Sequence, residues 1–240
     1  MREASGPTTA EWRQWEEQGY LVFKEAIHDE MLLRLQRTFD YWAAACKEDW
    51  LNQVASGELA ATYYDIPNVL EKDEIFIDIL DQPRYFDYVK AFAGDDAIFV
   101  GEQVRTAPLW PMSYTRWHPD VRPDHPLHIK VQVYVNDVEA DGGEFGYVPG
   151  SHRPGAGPYP SVRNIQAMPG HKRLPGKAGT AIMFNTYGWH VAMENHTDIP
   201  RKSIILTYEE HTPEKIDAAR YTSIADSLNT PDRLRLFGLS

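Results

Sequence analysis

The chain has 240 residues, 42% of them hydrophobic and 25% charged, enough to bury one sizeable core in a single globular domain. Its formal net charge of −11, from 35 acids against 24 bases, disfavours nucleic acid and anionic membranes as partners, because both carry the same sign. A lone cysteine, Cys46, cannot build an internal disulfide framework; the start from Met1 to Thr9 is polar, and no apolar run reaches the roughly 18 residues of a membrane span, so a cytoplasmic protein is expected.

Thr8 or Thr9 is placed to cap a short helix running to Glu17 and ended by Gly19. Tyr20 to Phe23 reads as a short apolar strand. Asp29 then caps a longer helix in which Met31, Leu32, Leu35, Phe39 and Trp42 recur at helical spacing. A third helical region spans Ile75 to Phe92, broken near Pro83 and closed by Gly94.

Beyond Gly94 the texture turns to strands. Ile98 to Thr106 is one. From His128 to Asn136, Ile129, Val131, Val133 and Val135 face one way and Lys130, Gln132 and Tyr134 the other. Asp141-Gly142-Gly143 marks a turn before the strand Glu144 to Val148, and Pro149-Gly150-Ser151 marks another. Residues 154–177 hold five prolines and four glycines and read as a long loop of the kind that forms lids. Thr180 to Phe184, Trp189 to Met193 and Ser203 to Tyr208 complete the strands, and the tail from Pro213 reads as helical. Many short strands with turn punctuation predict a mainly β, double-sheet jelly roll with helices packed outside. The expected organisation is one domain over 1–240: a helical part about 8–94, a β core about 97–210 and a tail about 211–240.

Trp117-His118-Pro119-Asp120 carries the first chemical signal. On an extended segment His118 and Asp120 project to the same side, so an imidazole and a carboxylate reach one ion. His-x-Asp alone is common by chance. Tyr187-Gly188-Trp189-His190 offers a second imidazole after an apolar strand. Two histidines and one carboxylate form the facial triad of non-heme Fe(II) oxygenases, which leaves coordination positions open. Arg201 follows His190 by 11 residues, and its planar fork matches a carboxylate. Thr197 offers a hydroxyl nearby.

This set of motifs resembles the phytanoyl-CoA dioxygenase family of 2-oxoglutarate-dependent oxygenases. Gly19-Tyr20-Leu21-Val22 with the following helix is similar to the family's opening. Trp117-His118-Pro119-Asp120 resembles its first ligand motif. The run from Val138 through Asp141-Gly142-Gly143 to Val148-Pro149-Gly150-Ser151-His152 resembles its acidic turn and Pro-Gly-Ser-His segment. His190, Asn195, Thr197 and Arg201 fall in its His…Asn-x-Ser/Thr…Arg order.

The resemblance implies a double-stranded β-helix core, with Fe(II), 2-oxoglutarate and O₂ as cofactor and co-substrates. It also implies His118, Asp120 and His190 as metal ligands, and Arg201 with Thr197 at the distal carboxylate of 2-oxoglutarate. Arg105, on the strand before the first motif, matches a basic residue that some members place near the co-substrate. The implied activity is hydroxylation of an unactivated C–H bond in a small molecule, with release of succinate and CO₂. Two departures stand out: Ala192 where some members carry serine, and Gly142-Gly143 where Asn-Gly is frequent. Asp120 argues against a halogenase, whose relatives carry a small residue there.

At the substrate end, Trp110, Tyr114, Trp117 and Trp189 are candidate apolar walls or ordinary core. His125 and His128, just past the first motif, are placed to touch substrate. Arg116, Arg122, Lys130 and Arg153 suit either an anionic substrate (an amino acid, a phosphonate, a thioester-bound acyl group) or ion pairs with Asp124, Asp137 and Glu139. Two other functions remain open on the sequence: a noncatalytic metal-binding or regulatory protein on the same fold, and a cupin-type metalloenzyme that makes no use of Arg201 and Thr197.

Overall fold

A computed structural model describes residues 6–107, 109, 115–212 and 218–239. Helix α1 (Thr9–Gln18) opens on a capping box: the Thr8 hydroxyl accepts from the Glu11 N–H at 3.3 Å, and the Glu11 carboxylate accepts from the Thr8 N–H at 2.8 Å. Gly19 ends it in the left-handed conformation. Strand β1 (Tyr20–Phe23) follows, then α2 (Asp29–Ala45) and α3 (Lys47–Ala55), with Cys46 between the two helices. Asp29 does not cap α2, as the sequence suggested. It is the first helical residue, and His28 holds the cap position with no side-chain hydrogen bond.

The two-residue strand β2 (Tyr64–Asp65) precedes a 3₁₀ turn at Val69–Glu71, α4 (Ile75–Asp78) and α5 (Pro83–Ala93). Pro83 separates α4 from α5 because its ring fits the first turn of a helix and not the interior. Then come β3 (Ile98–Ala107), β4 (His128–Tyr134), β5 (Phe145–Tyr147), a 3₁₀ turn at Ile165–Ala167, β6 (Lys172–Leu174), β7 (Ala181–Asn185), β8 (His190–Ala192) and β9 (Arg201–Glu209). The chain closes with a 3₁₀ segment at Ala218–Ser227 and α6 (Pro231–Leu236).

Two antiparallel sheets face each other, as expected for a jelly roll: six strands in the order β1-β7-β4-β9-β3-β2, and three in the order β6-β5-β8. The expected long loop contains β6, which pairs with β5 from Phe145↔Leu174 to Tyr147↔Lys172. Its Lys-Arg-Leu sequence carries no apolar alternation, because an edge strand is held by backbone hydrogen bonds more than by side-chain burial.

The period-2 pattern divides the large sheet cleanly. Ile129, Val131 and Val133 of β4, Met183 of β7 and Ile204, Leu206 and Tyr208 of β9 join the main core with Leu35, Phe39, Ile75, Phe76, Ile77, Tyr85 and Val89 from the helices. That packing leaves Lys130 and Gln132 of β4, Gln103 and Arg105 of β3, Phe184 of β7 and Ile205 of β9 turned toward the small sheet, where they line a cavity. Among the described residues no helix is long and apolar enough to cross a membrane.

Candidate metal centre

His118 and His190 are brought together by the backbone. The His118 N–H donates to the His190 carbonyl at 3.2 Å and the His190 N–H to the His118 carbonyl at 3.0 Å, a bridge that extends β8. The Asp120 N–H donates to the Thr186 carbonyl at 2.9 Å, which fixes the ligand segment against the loop after β7.

One nitrogen or oxygen from each of His118, Asp120 and His190 lies within 4.8 Å of the others. His190 Nε2 is 3.2 Å from Asp120 Oδ2, and His118 Nε2 is 3.6 Å from Asp120 Oδ1. In each histidine the other ring nitrogen is engaged: His118 Nδ1–H donates to the Arg116 carbonyl at 2.6 Å, and His190 Nδ1–H to the Gly188 carbonyl at 2.9 Å. Those bonds select the tautomer with an Nε2 lone pair aimed inward, the arrangement a metal-ligating imidazole needs.

Electrostatics favour the same reading. Burial pushes the His190 imidazole down, toward the neutral form that binds metals. Contact with Asp120 pushes His118 up. Burial alone would raise the Asp120 carboxyl, but His118, His190 and the Lys130 ammonium hold it well below the usual carboxylate range. Lys130 Nζ stands 3.0 Å from Asp120 Oδ2.

The donor set of two imidazoles and a carboxylate fits Fe(II), leaving positions open for a chelating co-substrate and O₂. The adjoining cavity, about 240 Å³, has the volume of several waters at roughly 30 Å³ each, room for a small dicarboxylate. Gln132 Nε2 and Ser203 Oγ, on the inner faces of β4 and β9, are buried and make no hydrogen bond among the described residues, so polar groups are available inside the barrel.

Arg201, the first residue of β9, is 1% exposed and donates through its guanidinium to the Gly143 carbonyl. It lies on the inner face of β9 but is not among the residues that line the cavity beside the triad. Thr197 sits in the loop before β9: its hydroxyl donates to Asn195 Oδ1 at 2.7 Å and accepts from the Ile199 N–H at 3.3 Å. Asn195 Nδ2 donates to the Ile199 carbonyl at 2.8 Å. Thr197 is thus engaged in the turn that leads into Arg201 and does not line the cavity. Arg105 does line it, but its Nε and Nη2 donate to Asp65 Oδ1 and Oδ2 at 2.7 and 2.6 Å, with the guanidinium 3.6 Å from the centre of the Tyr63 ring.

At the substrate end the structure decides between the alternatives that the residues left open. Trp110 and Tyr114 lie outside the described residues. Trp117 is buried behind the small sheet, donating from Nε1 to the Ile165 carbonyl at 2.7 Å, and Trp189 packs on Tyr159. These two indoles are structural, and the aromatic walls among the described residues are Tyr63, Phe145 and Phe184. His125 and His128 face Glu209 Oε1 at 3.4 and 3.8 Å. Of the four cations near the first motif only Lys130 lines the cavity; Arg122 instead meets Asp124 at 3.9 Å on the surface. The sequence did hold a signal for Lys130 and Gln132: polar residues alternating with an unbroken apolar face, on a strand buried on both sides.

The phytanoyl-CoA dioxygenase (PhyH) family profile matches residues 15–203. Ectoine dioxygenase of Nocardia farcinica (strain IFM 10152) is 24% identical over 188 residues, which cover 64% of this chain and 63% of that enzyme, so the match spans less than two thirds of the relative's length. HygX from Streptomyces hygroscopicus, solved with nickel and 2-oxoglutarate, superposes with a TM-score of 0.63 at 12% identity, covering 85% of this chain and 87% of HygX. SnoK, a non-heme alpha-ketoglutarate-dependent carbocyclase from nogalamycin biosynthesis, gives 0.60 at 19% identity, covering 85% and 84%. Those two structures share the fold. The profile match, over most of the chain, establishes that this protein belongs to the phytanoyl-CoA dioxygenase family, which works with iron and 2-oxoglutarate.

Proposed function

We propose that the chain is an oxygenase that hydroxylates an unactivated C–H bond of a small molecule while 2-oxoglutarate is converted to succinate and CO₂. In this reading His118, Asp120 and His190 hold the iron, and Arg201 seats the distal carboxylate of 2-oxoglutarate. Bound there, iron with 2-oxoglutarate and O₂ supplies the oxidising chemistry, which belongs to the cofactor and not to the side chains.

The chain's own contribution is positioning. The Arg116 and Gly188 carbonyls orient the two imidazoles. Thr197 and Asn195 shape the turn that delivers Arg201 to the inner face. Phe145, Phe184 and Ile205 give the cavity apolar walls that exclude water from the reacting centre. Arg105, neutralised by Asp65, adds a rigid polar floor next to the co-substrate.

The observation that carries the reading is the convergence of three ligand atoms from two distant segments within 4.8 Å, each imidazole already committed to a backbone carbonyl through its far nitrogen. The test is turnover of 2-oxoglutarate with Fe(II) in air against a compound library. A hydroxylated product should appear with one succinate per product. A library-wide absence of oxygenated product together with no basal succinate formation would remove the assignment.

A further inference from the structure

Lys130 has no task in the scheme above. It lies on the inner face of β4, lines the cavity and is only 16% exposed. An ammonium in such a place requires an anionic partner. Asp120 supplies one at 3.0 Å, but Asp120 is also the carboxylate assigned to the metal.

The charges of the loaded site can be followed group by group. Iron brings two positive charges and Asp120 one negative; 2-oxoglutarate brings two negative charges and Arg201 one positive. These groups together are neutral. Arg105 is cancelled by Asp65, which it grips with two nitrogens. Glu209, the next acid along the inner face, is directed at His125 and His128. Asp120 is the only acid among the described residues that line the cavity, so once it binds the metal the Lys130 charge keeps no cavity anion of its own.

The co-substrate does not account for that charge. Lys130 pairs in register with Thr207 of β9, which lies about 20 Å of strand from Arg201 at roughly 3.3 Å per residue. The two cations thus stand at opposite ends of the sheet's inner face. Around Lys130 the cavity is lined by Phe184, Gln132 and the metal triad: an apolar wall and an amide beside a single cation.

Resting on the oxygenase reading, we propose that Lys130 is the counter-ion for a carboxylate on the substrate itself, so that this site takes small monocarboxylic acids and holds the acid group next to the metal. The rival source of the same chemistry is a carboxylate of 2-oxoglutarate.

The experiment uses full-length protein loaded anaerobically with Fe(II) and 2-oxoglutarate, so that no turnover occurs. The readout is the change in its visible charge-transfer absorption on adding each of a panel of monocarboxylates (acetate to octanoate, phenyl-substituted acids, α-amino acids), every acid paired with its primary amide. Acids should bind at least tenfold more tightly than their amides. Lys130→Met should abolish that preference, Lys130→Arg should retain most of it, and both should hold 2-oxoglutarate within threefold of the parent. Equal binding of amides, silence across the panel, or an acid preference that survives Lys130→Met would each overturn the proposal. A tenfold loss of 2-oxoglutarate affinity in Lys130→Met with the panel unchanged would assign the lysine to the co-substrate. If the parent protein develops no absorption band at all, the oxygenase reading itself has failed.

Discussion

His118 and His190 exchange backbone hydrogen bonds in both directions, and their rings lie 4.6 Å apart between centroids. The ligands are therefore aligned by strand pairing, which persists when a side chain is trimmed. His190→Ala and His118→Ala should each fold, with far-ultraviolet circular dichroism unchanged. Each should bind Fe(II) at least tenfold more weakly by anaerobic calorimetry, a loss of about 1.4 kcal/mol or more.

Arg201 is buried and hydrogen-bonded to a backbone carbonyl. Arg201→Lys keeps the charge but loses the fork. Its KM for 2-oxoglutarate should rise by roughly thirtyfold, about 2 kcal/mol, with iron affinity retained. An unchanged KM would move the co-substrate's anchor elsewhere in the barrel.

The Asp65–Arg105 pair joins β2 to β3 through two hydrogen bonds, its arginine side chain 7% exposed. Asp65→Asn leaves a buried guanidinium without its anion. The expected cost is about 1–3 kcal/mol, read as a Tm lower by roughly 2–4 °C per kcal/mol for a chain of this size. Tyr63→Leu, which removes only the stacked ring, should cost less.

Gly188 is fixed by its neighbours: a Cβ there would overlap the Tyr147 hydroxyl. That hydroxyl donates to the Asn185 carbonyl at 2.9 Å, and the Gly188 carbonyl accepts from His190 Nδ1. Gly188→Ala should destabilise the protein by about 1–3 kcal/mol through overpacking. It should also weaken Fe(II) binding, because the orienting carbonyl moves. Metal affinity equal to the parent's would separate the two roles.

Alkaline titration probes the core. Burial pushes the phenols of Tyr85, Tyr147 and Tyr208 well above their ordinary range. Their hydroxyls donate to the carbonyls of Ile79, Asn185 and Leu80. Their contribution is complete below the unfolded tyrosine value of about 10 and declines as pH rises from there toward the folded values. In an ultraviolet titration these three of the thirteen tyrosines should ionise only with the unfolding transition.

Much of this architecture was readable in the residues. The Ile129-Val131-Val133 alternation announced a strand with one face on the helices, and Thr8 or Thr9 announced the first cap, which the structure places at Thr8. The grouping of His118, Asp120 and His190 was legible only in combination, since His-x-Asp alone is common by chance and gains weight from the second imidazole after an apolar strand. Helix α3 escaped notice because it buries no residue fully and so shows no periodicity. Strands β2 and β6 are too short or too polar for a pattern, being set by register with β3 and β5. Asp65 as the partner of Arg105 could not be seen, since the pair is joined across the sheet by tertiary contact alone. For the same reason the sequence left Trp117 and Trp189 open between substrate wall and ordinary core, and the fold turns them away from the cavity.

The central claim is that one iron with one 2-oxoglutarate assembles at His118, Asp120 and His190, and anaerobic titration with both, followed in the visible range, tests it directly. The parent protein should develop a charge-transfer band saturating at one equivalent of each, and Asp120→Ala and His190→Ala should not. A parent that stays colourless, or a His190→Ala variant that gives the same band at the same stoichiometry, would contradict it.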